Sequence, residues 1–213
     1  MDKIVVYTAI YGGQLKLNDA IASDNCDFIC FTDDSNLKSN TWEIRYIKGL
    51  TKSPVRNAKI YKILPHIYFK EYNYSLWVDS THIPLDAANF TNKYLKESNI
   101  ALFKHPRRNC IYKELKACFT VRKIHKYKRS MIEQVEKYKN EGYPVNNGLA
   151  VCGVIARRHN ELTIIKAMED WWNEIKNNSP RDQLSFNYIM HKHNLTYNTI
   201  DDNIYRNRYF SVT

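Results

Sequence analysis

The stretch YSLWVDSTHIPLD, residues 74–86, decides how the chain is read. Leu76, Trp77 and Val78 form the continuous apolar run of a strand buried on both faces, and the run stops at Asp79, Ser80 and Thr81. A carboxylate and two hydroxyls there are either ordinary turn chemistry or one side of a ligand site. Other strand-like segments, rich in β-branched and aromatic residues, lie at 3–9, 27–32, 42–47, 100–104 and 149–156. Helical patterns occupy 54–69, 126–141, 161–176 and 183–193. Strands alternating with helices predict an α/β fold with a central, mostly parallel sheet flanked by helices. The length of 213 residues suits one domain with one substantial core.

Open sheets of this class take ligands beyond the carboxyl ends of their strands. Those ends are polar here: Thr8, Ala9, Tyr11 and Gly12 close the first strand, Asp33 and Asp34 the second, Asp79 and Ser80 the fourth, His105 and Arg107 the fifth. The chain contains no P-loop, no dinucleotide fingerprint and no nucleophile elbow, so a bound nucleotide would be held another way. Ser53 reads as an N-cap with Pro54 at the first helical position. At about 100° per residue Arg56, Ile60, Ile63 and Ile67 share one stripe, which predicts Arg56 on the buried side. There it needs either a protein carboxylate or a ligand phosphate. Pro65 is expected to end or kink this helix.

Thirty-two Lys and Arg against 22 acids give +10, and the excess is local: residues 104–129 hold ten Lys or Arg and one acid, Glu114. That segment is either a solvated face or loop, or a surface for an anionic partner such as a phosphorylated substrate, a membrane or nucleic acid. Cys26, Cys30, Cys110, Cys118 and Cys152 show neither zinc spacing nor a disulfide framework. Apolar runs are too short for a bilayer, and the N-terminus lacks a secretory apolar segment, so a cytoplasmic location is expected. In SPRDQ, Ser179, Pro180 and Asp182 read as a capping box. The helix with Leu162, Ile165, Met168, Trp172 and Ile175 at helical spacing reads as core.

Taken in order, YTAIYGG, CDFICFTDD, SPVRNAKIYKILPH, LWVDS, FKHPRR and SPRDQLSFNY resemble a GT-A glycosyltransferase. The resemblance is narrower to the group that includes plant mucilage-related transferase-like proteins and the N-terminal glycosyltransferase domain of a chlorella-virus multidomain enzyme. It implies a UDP-sugar donor, a glycan hydroxyl as acceptor, and Mn²⁺ or Mg²⁺ held by Asp79. It further implies Thr8, Ala9, Tyr11 and Asp33 beside base and ribose, Arg56 and Lys59 at the phosphates, and Ser80 next to the metal-binding acid. The family acid pair is incomplete, since Thr81 stands where a second Asp is usual, which leaves His82 or a distant residue to complete the site. Inverting transfer needs a base; Asp182 is the candidate, with Asp86 and Glu114 as alternatives. The viral likeness implies rhamnose, with glucose as the other donor sugar, and the host cytoplasm as location. On this reading the nucleotide part is about 1–105 and the acceptor part about 106–213, with the 104–129 segment facing acceptor, membrane or a protein. The competing reading is a basic nucleic-acid-binding module, for which salt-dependent association with generic polynucleotide is expected.

Overall fold

In the computed structural model, residues 2–13 and 16–212 are described, apart from the side chain of Lys123. The elements in chain order are β1 (Ile4–Ile10), β2 (Cys26–Thr32), β3 (Glu43–Tyr46), α1 (Pro54–Ile63), α2 (Pro65–Tyr68), β4 (Tyr74–Val78), β5 (His82–Pro84) and α3 (Ala87–Tyr94). There follow β6 (Ile100–Lys104), α4 (Ile111–Cys118), a 3-10 segment (Arg122–Tyr127), α5 (Lys128–Asn140), β7 (Ala150–Arg157), α6 (Leu162–Asn177), α7 (Asp182–Lys192), β8 (Asn198–Ile200) and β9 (Phe210–Val212).

Seven strands form the main sheet in the order β3-β2-β1-β4-β7-β6-β8, and β5 pairs with β9 beside it. β1 pairs parallel with β2 and β4, β2 with β3, and β6 with β8; β7 alone runs against its neighbours. The predicted mostly parallel sheet is therefore present, in a single α/β domain. β1 is buried along its whole length because both of its faces are covered. Val5, Tyr7 and Ala9 share one core with Tyr61, Trp171 and Phe186, and Ile4, Val6 and Ile10 share the other with Phe90, Phe103 and Phe210.

α1 fixes the site, and the way it ends is decisive. Ser53 caps it as expected, accepting from the Arg56 N–H at 3.4 Å. Pro65 interrupts it as expected, and the break leaves the Lys62 carbonyl without an intrahelical donor. The buried Arg157 supplies one from Nη2 at 2.7 Å, and the Tyr7 hydroxyl donates to the same oxygen at 3.1 Å. Two rigid donors on one carbonyl thus anchor the turn that carries Lys62.

Three local expectations are corrected. The stripe through Arg56 and Ile67 does not hold: Asn57, Tyr61, Lys62 and Ile63 are the buried residues, and the break at Leu64 rotates Ile67 into solvent. In α6 the buried residues are Ile164, Ala167, Met168, Trp171, Glu174 and Ile175: Met168 and Ile175 are buried as expected, whereas Leu162 is exposed and Ile165 and Trp172 are only half-buried. No capping box forms at α7: Ser179 Oγ accepts from the Arg181 N–H at 3.0 Å, and Asp182 is the first helical residue. The basic 104–129 segment is folded, mostly as α4 and the 3-10 turn that leads into α5.

Candidate active site

A cavity of about 280 Å³ opens at the carboxyl ends of β1 and β4, against the first turns of α1. Ala9 and Tyr11 line it from β1, Lys59 from α1, and Trp77, Asp79 and Ser80 from β4 and its loop. Gly12 permits this arrangement, since its φ is +86° and a Cβ there would lie 2.9 Å from the Pro54 side chain. The Asp33 carboxylate accepts from the Gly12 N–H at 3.1 Å and holds the crossing loop in place. The Tyr11 ring stacks on Tyr61 at 5.9 Å between centroids, and its hydroxyl lies 3.1 Å from the Ile47 carbonyl.

Beneath the cavity sits a chain of alternating charges. Lys62 Nζ is 3.1 Å from Asp79 Oδ1 and 2.7 Å from Asp182 Oδ2, and Lys59 also pairs with Asp182. Trp77 Nε1 donates to Asp79 Oδ1 at 2.8 Å. The side chains of Lys62 and Asp182 are 1% and 7% exposed, while that of Asp79 is 42% exposed. Burial by itself would raise the Asp182 pKa, but Lys59, Lys62 and Arg181 outweigh it and hold the carboxyl far below the ordinary range. Burial likewise pulls Lys62 down, and Asp182 and Asp79 reverse that effect, so its ammonium stays charged. Cys152 lies against these charges, and burial pushes its thiol far up, which keeps it neutral.

The structure brings together Ala9, Tyr11, Lys59, Asp79, Ser80 and Asp182 of the residues singled out in the sequence. It sets three elsewhere. Thr8 is fully buried within β1 and does not line the cavity. Asp33 acts on the Gly12 loop from behind the cavity lining. Arg56 donates to the carbonyls of Ile175 at 3.1 Å and Asn178 at 2.7 Å, closing the C-terminus of α6, where its charge suits the helix dipole. Its partner is neither a carboxylate nor a group of the cavity. Sequence reasoning missed Lys62. Its spacing of three from Lys59 was the available signal, because residues three apart share a helix face.

Of the alternative bases, Asp86 caps α3, accepting from the Asn89 N–H at 3.4 Å. Glu114 is sealed between Arg108 and Arg181, at 2.7 and 2.9 Å. Asn146, with φ of 58°, lies in a turn with Val145, and Gly148 follows it with φ of 78°. His193 pairs with Asp170 at 3.0 Å, and His191 meets the Tyr143 ring.

Mg²⁺ and Mn²⁺ take oxygen ligands, often one or two carboxylates with the rest from phosphate and water. Asp79 fits that donor set: Oδ1 is engaged by Trp77 and Lys62, and Oδ2 has no protein partner among the described residues. No cluster of three or more acidic, histidine or cysteine ligands occurs among the described residues, so the protein would supply only part of a coordination sphere.

A glycosyltransferase-like domain is the class to which this fold and edge-on site correspond. A family model described as TOD1/MUCI70, glycosyltransferase-like domain, matches residues 2–211, and the chain belongs to that family. The probable hexosyltransferase MUCI70 of Arabidopsis thaliana is 29% identical over 172 residues, covering 75% of this chain and 29% of that protein. Among solved structures, the apo form of the bifunctional glycosyltransferase WbbM aligns with a TM-score of 0.53 and 12% identity, over 93% of this chain and 38% of that one, a likeness of fold. The chain thus spans well under half the length of either protein.

Proposed function

We propose that the chain is a glycosyltransferase moving a sugar from a UDP-sugar to a glycan hydroxyl. One observation carries the reading: Asp79 presents a free carboxylate oxygen to a cavity at the sheet edge, with Lys59 and Lys62 directly behind it. Ala9 and the Tyr11 ring form the wall for base and ribose, and Lys59 faces the diphosphate. Asp79, with Ser80 beside it, would hold Mn²⁺ or Mg²⁺, which when bound offsets charge on the departing nucleoside diphosphate. Rhamnose or glucose as the sugar, and inversion at the anomeric carbon, follow from the motif resemblance, as does the link to a viral enzyme.

Asp182 was the sequence candidate for the base. A carboxylate paired with both Lys59 and Lys62 has little proton affinity, so the role its geometry supports is to hold Lys59 at the cavity wall and Lys62 beneath Asp79. The basic 104–129 segment is assigned to the acceptor side or to a membrane or protein contact. Its Arg108 is already committed to Glu114, which weakens the nucleic-acid reading. None of the helices among the described residues is long and apolar enough to cross a membrane.

Thermal unfolding tests the proposal. UDP with Mn²⁺ at about 100 times its Kd should add about 2.7 kcal/mol of stability. Stabilisation by polynucleotide near physiological salt, with none by UDP, would replace the enzyme by a nucleic-acid-binding module.

A further inference from the structure

A second cavity, of about 690 Å³, opens on the same edge of the sheet, beyond the ends of β6 and β8. Its walls include Lys104, Arg107, Arg108, Asp201, Asn203 and Tyr205. It adjoins the Asp79 site through Gly153. The Gly153 carbonyl accepts from the Asp79 N–H at 2.8 Å, and a Cβ at Gly153 would meet His82 at 3.1 Å and Ile204 at 3.4 Å. The loop bearing Asn203 and Tyr205 therefore packs against the strand that flanks Asp79.

Both walls are held before any ligand arrives. His105 Nδ1 accepts from the Arg107 and Arg108 N–H groups at 3.1 and 3.0 Å, and the His105 N–H donates to the Leu149 carbonyl at 2.8 Å. Arg108 is fixed by the buried Glu114, which also binds Arg181, the neighbour of Asp182. Across the cavity, Asn203 Oδ1 accepts from the Tyr205 N–H at 2.9 Å, and Asp202 Oδ1 accepts from the Asn203 N–H at 2.7 Å. Tyr205 is 56% exposed, and Arg107 is exposed with no ion-pair partner among the described residues.

Charge decides what this cavity takes. Lys104 lies 3.5 Å from Asp201, Arg108 is matched by Glu114, and Asp202 adds a further carboxylate at the wall. With Lys104 matched by Asp201 and Arg108 by Glu114, one carboxylate, Asp202, and one guanidinium, Arg107, remain at the wall, so a polyanion gains no net attraction. Planar guanidinium, carboxylate and amide groups suit paired hydroxyls, and an exposed tyrosine offers an apolar face with a polar tip. From this we infer that the cavity bounded by Arg107, Asp201, Asn203 and Tyr205 is a subsite for a neutral saccharide, the acceptor glycan. The inference rests on the transferase reading for the word acceptor, and on the cavity's own chemistry for the saccharide.

A glycan array carrying neutral and uronic-acid oligosaccharides tests it, probed with the whole chain. The wild type should retain neutral glycans, with signal at least tenfold lower in both Arg107→Ala and Tyr205→Ala. Lys52→Ala, at a basic groove elsewhere, should not change it. No retained glycan, retention of uronic-acid glycans alone, or retention untouched by both variants would overturn the subsite. Thermal stabilisation by UDP and Mn²⁺ on the same preparations keeps the two readings apart. Glycan retention lost with UDP stabilisation kept refutes only the subsite, and the converse refutes only the donor site.

Discussion

Two buried ionic clusters sit a short way apart in this molecule, and they differ in what they leave open. In the first, Lys62 binds Asp79 and Asp182, and Asp79 still keeps 42% of its side chain exposed to the cavity. In the second, Glu114 binds Arg108 and Arg181 and is itself 1% exposed. The same rule built both, since a charge removed from water must be paired. Accessibility of the carboxylate separates them: Asp79 ends the first cluster in an oxygen without a protein partner among the described residues, whereas Glu114 is buried between two arginines. Arg181 and Asp182 are adjacent in the chain, so the N-terminus of α7 ties the two together.

The largest expected effect is at the shared cation of the open cluster. Lys62→Met leaves Asp79 and Asp182 short of a partner in a buried setting, and denaturant unfolding should record a loss of about 3–5 kcal/mol. Asp79→Asn should leave the fold near normal yet lower kcat with a UDP-sugar by roughly 100-fold, a size typical of losing one charge-stabilising group. Full turnover in that variant would erase the distinction between an open and a closed cluster. Glu114→Gln should cost about 2 kcal/mol, since it removes a buried charge but keeps hydrogen-bonding capacity. Its thermal stabilisation by UDP and Mn²⁺ should persist, and loss of that stabilisation as complete as in Asp79→Asn would show that the clusters act as one.

Acid sharpens the comparison further. Folding lowers the pKa of Asp182, so the unfolded chain binds the extra proton. That stability is complete above the unfolded value, about 4, and is lost as pH falls below it. Asp182→Asn should flatten this acid limb of the stability curve. His159 acts earlier and more weakly: fully buried, with Nε2 2.8 Å from the Phe69 carbonyl, it is pushed down to about 4 by burial. The unfolded chain then takes up a proton near pH 6.5 that the folded chain refuses, so stability should fall by roughly 2 kcal/mol between pH 7 and 5. His159→Gln should remove the His159 share of that slope, and the remainder belongs to His66, His82 and His105, whose pKa values burial also lowers.

The linear order of residues was enough to establish the α/β class, the strands β1, β2, β4 and β6, the break at Pro65 and the polar sheet edge with Asp79. Each of these is written in local patterning: apolar runs of strand length, a proline without an N–H, turn residues after a buried run. Only the tertiary structure could say which cation meets which acid. Arg56 and Lys62 lie on the same helix, and a small rotation of its buried face sends one to the carbonyls of α6 and the other beneath Asp79. That rotation is set by Arg157 and Tyr7 gripping the Lys62 carbonyl, contacts 95 and 55 residues distant in the chain. Pairing of buried charges depends on distances of a few ångströms between separate elements, and periodicity within one element does not encode them.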